Sequence, residues 1–373
     1  MSRFRRHPTL LLSWPWPGFS RGPRSPGRWP LAVQRPRQRQ RQRLFAAILA
    51  IGLLLLPALE EARAEATNEL RRLQELCEQL IVQKSRLAEA QPLAERLLAL
   101  TLERRGELHP DTVLALHWIA YLAHRSGRLE EAEKTWQRSL RIQGKLPAPD
   151  LVWFTRTLNM LGGVYKDQSD FVRAEEILQR SLTLRVQALG TNDPSTANVL
   201  QGLGEVYRRM GDHSKAEAFY LRALRVYERG GRRMEADCLT PIRALGILYW
   251  EMEDPAKATP LLTRAVALSE MAYGPEHTQT AVSLTELAGL LLDNGELGAA
   301  EAHYKRSLRI LENLVGPEHL DISWPLGAMG YIHCQRGEFA QAEDCFLRSL
   351  AIFQKHLGAE DPRGAWQYAR LGP

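Results

Sequence analysis

The sequence predicts an all-α fold, a solenoid of seven helix–turn–helix units. Three observations carry the prediction: a 42-residue repeat, apolar residues at helical spacing inside each repeat, and glycines where the helices must end.

The repeat comes first because it sets the register for everything else. Ala132, Ala174, Ala216, Ala258, Ala300 and Ala342 each follow the last by 42 residues, and eight places on Leu140, Leu182, Leu224, Val266, Leu308 and Leu350 keep step. The tripeptides ending there are Arg138-Ser139-Leu140, Arg180-Ser181-Leu182, Arg222-Ala223-Leu224, Arg264-Ala265-Val266, Arg306-Ser307-Leu308 and Arg348-Ser349-Leu350. One further step back reaches Ala90 and Leu98, so a degenerate first unit begins near Leu70. The units span about 70–106, 112–146, 154–190, 196–230, 238–274, 280–316 and 322–358, and residues 362–373, with Trp366, Tyr368 and Leu371, begin an eighth first helix.

Inside the fourth unit, Leu200, Leu203, Gly204 and Tyr207 form an i, i+3, i+4, i+7 stripe. Gly211 turns the chain, and Ala216, Tyr220, Ala223 and Leu224 form a second stripe. The alanine lets the two helices approach, and the large residue four places on (Trp136, Leu178, Tyr220, Leu262, Tyr304, Phe346) is expected to fill the space between units. Neither helix is long enough to be stable alone, so stacking must supply the core.

Helix ends carry their own marks. Gly106, Gly190, Gly274, Gly316 and Gly358 stand where second helices stop, since glycine takes the left-handed conformation without steric cost. Three residues later come His109, Asp193, His277, His319 and Asp361, followed in three units by Pro110, Pro194 or Pro362. A capping residue and then proline opens the next helix. The pattern lapses in the first unit, in the connectors 145–150 and 229–237, and at Glu253, which stands where the turn glycine belongs.

These residues resemble the tetratricopeptide repeat, whose alternating large and small positions are matched by Leu158, Leu161, Gly162, Tyr165, Ala174 and Leu178. The 42-residue length and the Gly-x-x-(His/Asp)-Pro connector resemble more narrowly the kinesin-light-chain form of that repeat, over residues 70–373. The resemblance implies a right-handed superhelix, a concave groove lined by the first helices, and protein or peptide ligands. It does not imply a motor.

Charge is divided unevenly. The chain carries +6 overall, but residues 1–43 hold eleven arginines and no acidic residue or lysine, so residues 65–373 sum to −4. The array is mildly acidic and no nucleic-acid partner is expected. The basic, Pro- and Trp-rich leader cannot form a core and is expected to be disordered. It precedes an apolar run at 44–56, closed by Pro57 and followed by Ala62-Arg63-Ala64, a small-x-small site of the kind a signal peptidase accepts. The run is short for a membrane span, so a cleaved export signal ending before Glu65 is the leading reading. The alternatives are an uncleaved anchor through residues 44–59, or a mitochondrial or cytosolic assembly factor with the same array, in which the leader is a presequence or a disordered arm.

Motifs that look chemical reduce to the repeat. His109-Pro110-Asp111 matches a co-chaperone tripeptide, yet Asp193-Pro194 and Asp361-Pro362 occupy the same register, which makes it a connector. His117 and His124 lie seven apart beside Trp118 and Tyr121 with no third ligand at metal spacing. Four cysteines (Cys77, Cys238, Cys334, Cys345) form no CxxC pair, although Cys334 and Cys345 share one hairpin. No nucleophile elbow or phosphate loop is present, so neither catalysis nor a cofactor is expected.

The groove positions are those opposite the packing stripe of each first helix. They give Leu114, His117, Tyr121 and His124, with Trp118 beside them; Arg156, Asn159, Gly163 and Lys166; Asn198, Gln201, Glu205 and Arg208; and Thr240, Arg243, Ile247 and Trp250. Units six and seven add Val282, Thr285, Gly289 and Leu292, then Trp324, Gly327, Tyr331 and Cys334. The face reads as basic and amide-rich at units three to five and aromatic at both ends. A ligand with acidic residues flanking an apolar or aromatic anchor would suit it.

Overall fold

The computed structural model describes residues 68–80, 87–148, 150–231 and 236–357. The leader, the apolar run and the expected eighth first helix lie outside the described residues. Each unit is a helical hairpin. The first comprises α1 (68–80) and α2 (Leu87–Arg105), the second α3 (Pro110–Arg125) and α4 (Leu129–Gln143), the third α5 (Leu151–Asp167) and α6 (Phe171–Leu189). The fourth holds α7 (Pro194–Arg209) and α8 (His213–Arg229). The fifth follows a single 3-10 turn (Ala236–Cys238) with α9 (Leu239–Glu251) and α10 (Pro255–Tyr273). The sixth holds α11 (Thr278–Asp293) and α12 (Leu297–Val315), and the seventh α13 (Leu320–Gln335) and α14 (Phe339–Leu357). The described residues contain no strand.

The turn inside the second to seventh hairpins is made by one residue at positive φ: Gly127 (74°), Ser169 (62°), Gly211 (78°), Glu253 (57°), Gly295 (82°) and Gly337 (76°). Ser169 is thus a second departure beside Glu253. Around Gly211 the closing bonds run from Gly211 N to Arg208 O and from Asp212 N to Tyr207 O, which satisfies the last carbonyls of α7. Asp212 then caps α8 through its carboxylate and Lys215 N, as Asp170 and Asp254 cap α6 and α10. Two residues therefore end one helix and start the next.

The connectors between units behave as their residues require. Gly106, Gly190, Gly274 and Gly316 have positive φ. His109, His277 and His319 accept the N–H two residues on through Nδ1, and Asp193 does so through its carboxylate. An imidazole can accept there only when that nitrogen is unprotonated.

Packing within a hairpin sets a large side chain of the second helix against a small residue of the first. A Cβ added to Gly162 would stand 2.7 Å from Leu178, and one on Gly204 would stand 2.6 Å from the Tyr220 ring. Gly246 meets Leu262 and Gly330 meets Phe346 in the same way. These large residues fill the inside of their own hairpin first, which corrects the expectation that they fill the space between units. Leu178 also reaches Gly202 of the next unit. The serine of the Arg-Ser-Leu tripeptide is buried and joins the two helices: Ser181 Oγ donates to Thr155 O, Ser307 to Ala281 O and Ser349 to Ser323 O.

First helices of successive units touch one another (α3 with α5, α5 with α7, and so on to α13), and no comparable contact joins successive second helices. Helices that lie closer on one side bend the array, so the first helices line its inner face.

Candidate partner-binding groove

Side chains near the end of each first helix cross to the next unit. His124 Nε2 lies 2.7 Å from Asp167 Oδ2, Arg208 Nη1 bonds the Glu251 carboxylate, and Trp250 Nε1 donates to Asp293 Oδ2 at 2.9 Å. Each link spans 43 residues. The rung from Lys166 is missing because Arg209 occupies the acceptor place, and Lys166 Nζ sits 3.7 Å from Asp167 instead. Beneath two of the crossing rings the next helix has glycine: Gly163 under His124 and Gly289 under Trp250. Without a Cβ there, the edges of the His124 and Trp250 rings reach across the unit boundary onto the next first helix.

The cations expected to line the middle of the groove are largely held by carboxylates of the same face. Arg208 makes two bonds to Glu205 and a third to Glu251, and Arg209 adds a bond to Glu205. Burial opposes ionisation of Glu205, but hydrogen bonds from Arg208 and Arg209 and the charges of Arg208 and Lys166 outweigh it and hold the carboxyl down at about 2. Arg243 Nε stands 3.0 Å from Glu286 Oε2, and its Nη1 donates to Gln279 Oε1. That approach to Glu286 is out of line for a hydrogen bond, and Oε2 is sealed from solvent with no donor. Burial pushes the Glu286 carboxyl up to about 7 against the pull of Arg243.

His117 is placed differently from expectation. It is 2 % exposed, with the rings of Trp118, Trp136 and Trp153 edge-on around it at 4.9–5.2 Å. Burial, with a smaller contribution from Arg156, lowers its pKa to about 3, so it is a neutral core residue. Position on the helix pointed to the groove, but Trp136 of its own hairpin and Trp153 of the next unit close over it. Gly289 and Gly327 are likewise buried.

The other expected residues keep accessible surface. Trp118, Tyr121, Asn159, Lys166, Gln201, Arg208, Arg243, Trp250, Thr285 and Tyr331 are half-buried, while Arg156, Asn198 and Trp324 are exposed. Arg156 lies over the Trp153 ring. Asn198 and Gln201 both bond the Tyr227 hydroxyl, at 2.8 and 3.4 Å. Trp250, Thr285 and Trp324 converge on a cavity of about 600 Å³ between α11 and α13, with Glu286, Asp321 and Phe353 also in its wall. A second cavity of about 300 Å³ opens between Leu114 and Trp153.

Glu286 was missed from the sequence, although its repeat column held a signal. The equivalent positions are Trp118, Met160, Gly202, Ala244 and Ala328, so a carboxylate there is out of character. Cys77 and Cys238 are buried, Cys334 and Cys345 are half-buried, and none of the four is in a disulfide. Among the described residues no group of three His, Cys, Asp or Glu could hold a metal ion, and no helix is long and apolar enough to cross a membrane.

Family models for the tetratricopeptide repeat match residues 153–229, 237–313 and 284–355, and a second such model matches 82–147, together more than half of the chain. The chain belongs to the tetratricopeptide repeat family. No curated protein matches it. Among solved structures this tetratricopeptide array is similar to aspartyl phosphate phosphatase F from Bacillus subtilis, at 13 % identity and TM-score 0.61, covering 82 % of this chain and 76 % of that one. It is also similar to the apo form of RapI, at 14 % identity and TM-score 0.57, covering 77 % and 98 %. BtubC (BKLC) from P. vanneervenii aligns at 20 % identity and TM-score 0.49, covering 66 % and 92 %. At these identities the likeness is one of fold: an all-α tetratricopeptide solenoid.

Proposed function

We propose that this protein holds an extended segment of another protein along the inner face of its array and acts by binding, not by catalysis. The observation that carries this reading is the row of cross-unit side chains, in which Trp250 is bonded to Asp293 and packed by its ring edge against Gly289 beside the cavity that Trp324 borders. Immobilised aromatic surface costs little ordering on binding and suits an anchor residue of a partner.

The charge along the face favours a ligand of mixed character. At the third unit Arg156 and Lys166 suit an acidic residue, whereas Arg208 and Arg243 are engaged by Glu205, Glu251 and Glu286. Acidic character therefore belongs to the part of the ligand lying on unit three, and the anchor side chain to the part lying on units five to seven.

Affinity capture with the full chain and mass spectrometry tests the reading. Trp324→Ala and Asn198→Ala together should lose the partner that the native chain retains, and Arg225→Glu on α8 should keep it. Loss on the α8 substitution with retention on the inner-face pair would overturn it.

We further propose export, supported by the apolar run 44–56 and the Ala62-Arg63-Ala64 site. N-terminal sequencing of the protein from its native cell should find Glu65 first. A chain beginning within residues 1–43 favours an anchor or a cytosolic arm.

A further inference from the structure

We propose that the cavity between α11 and α13 receives the side chain of a basic residue, arginine or lysine, from the bound peptide. The inference rests on the groove reading above and names the chemistry of one of its subsites.

Two features of the wall select a cationic guest. Its apolar part, Val282, Leu311, Leu320 and Phe353 with the indoles of Trp250 and Trp324, suits a long aliphatic stem and offers aromatic faces to a positive head. Its polar part is carboxylate. Thr285 Oγ1 donates to Ala281 O and Ser323 Oγ to Leu320 O, so both hydroxyls spend their donors on helix carbonyls, and Trp250 Nε1 spends its own on Asp293. Glu286 and Asp321 place two carboxyl groups in the wall, and a cation entering beside them would favour the ionised form of the buried Glu286.

The existing compensation is incomplete. Arg243 of α9 approaches Glu286 at 3.0 Å but out of hydrogen-bond alignment, and it is shared with Gln279 of α11. Asp321 of α13 has the His319 ring 3.6 Å away. A guanidinium or ammonium entering beside Trp324 would bring donors to a wall whose charge is otherwise answered by one arginine. The volume, about 600 Å³, is within the range of sites that enclose a small ligand, roughly 300–1,000 Å³.

The experiment uses the full chain labelled with 5-fluorotryptophan, with resonances assigned by Trp250→Phe and Trp324→Phe. The probes are N-acetyl-arginine methylamide, the corresponding neutral citrulline compound and the glutamate compound. The arginine probe should shift the Trp250 and Trp324 signals saturably, and citrulline should bind at least about tenfold more weakly, as loss of a charge-assisted contact requires. Glu286→Gln and Asp321→Asn should each weaken the arginine probe, and Arg225→Glu should not. No shift with arginine, or equal binding of arginine and citrulline, or no effect of either carboxylate substitution, overturns the proposal. A captured partner that depends on Trp324 and Asn198 but binds equally well to Glu286→Gln would overturn this subsite while leaving the groove reading in place.

Discussion

Trp250 and Asp293 are joined across a unit boundary by an indole–carboxylate hydrogen bond of 2.9 Å, and the indole rests on Gly289 so closely that an added Cβ would stand 2.5 Å from the ring. The pair holds the Trp250 side chain in place where units five and six meet.

Gly289→Ala should therefore force the indole away and lower stability by about 1–3 kcal/mol, the usual cost of overfilling a packed contact. Gly163 is the matched control. Its added Cβ would meet His124 at an ordinary 3.6 Å, and alanine is the better helix former by roughly 0.5–1 kcal/mol. Denaturant unfolding of the two variants should move in opposite directions. Equal effects would show that Trp250 is not seated as described.

Glu253 and Ser169 hold φ of 57° and 62° at the turn position that glycine occupies in four other units. A left-handed conformation costs an L-residue about 1–2 kcal/mol. Glu253→Gly and Ser169→Gly should each stabilise by about 1 kcal/mol, less the greater freedom of glycine in the unfolded chain. Gly211→Ala should destabilise by a similar amount, and thermal unfolding ranks all three.

His117 links stability to acid. Its pKa falls from 6.5 to about 3 on folding, so the unfolded chain takes up a proton that the folded chain refuses. The stability present above pH 6.5 is lost as pH falls toward 3, by about 3 kcal/mol between pH 7 and pH 4 at 1.36 kcal/mol per pKa unit. His117→Phe should flatten that part of the stability profile. An unchanged profile would mean that the ring is protonated in the folded protein.

Glu286 works in the opposite sense. Its pKa rises from 4.5 to about 7 on folding, so the folded chain holds the proton more tightly and stability declines as pH rises from 4.5 through 7. Glu286→Gln removes the ionisable group. It should gain up to about 3 kcal/mol at pH 8 relative to the native chain, less whatever the Arg243 ion pair contributes, and nothing at pH 4. Chemical denaturation at the two pH values measures the difference.

The positions that local physics controls were legible in the residues themselves. Gly211 and Gly295 mark turns because only glycine enters that backbone region freely, and His109, Asp193 and His277 mark helix starts because their side chains reach the N–H two residues on. Packing between helices was less legible. His117 shares a register position with Asn159 and Gln201, yet it is sealed by Trp136 of α4 and Trp153 of α5, which no property of α3 announces. Arg208 and Arg243 promised a basic groove, but Glu251 and Glu286 approach them from the adjoining unit.

By itself the sequence determined the period, the hairpins, their caps and the face that each first helix turns inward, because these follow from spacing along one chain and from the backbone preferences of Gly, Pro, Asp and His. Tertiary structure alone decided which of those inward residues remain available to a partner. Availability depends on what the next unit places within a few ångströms: a ring over His117, a carboxylate on Arg208, and an open cavity between Trp250 and Trp324.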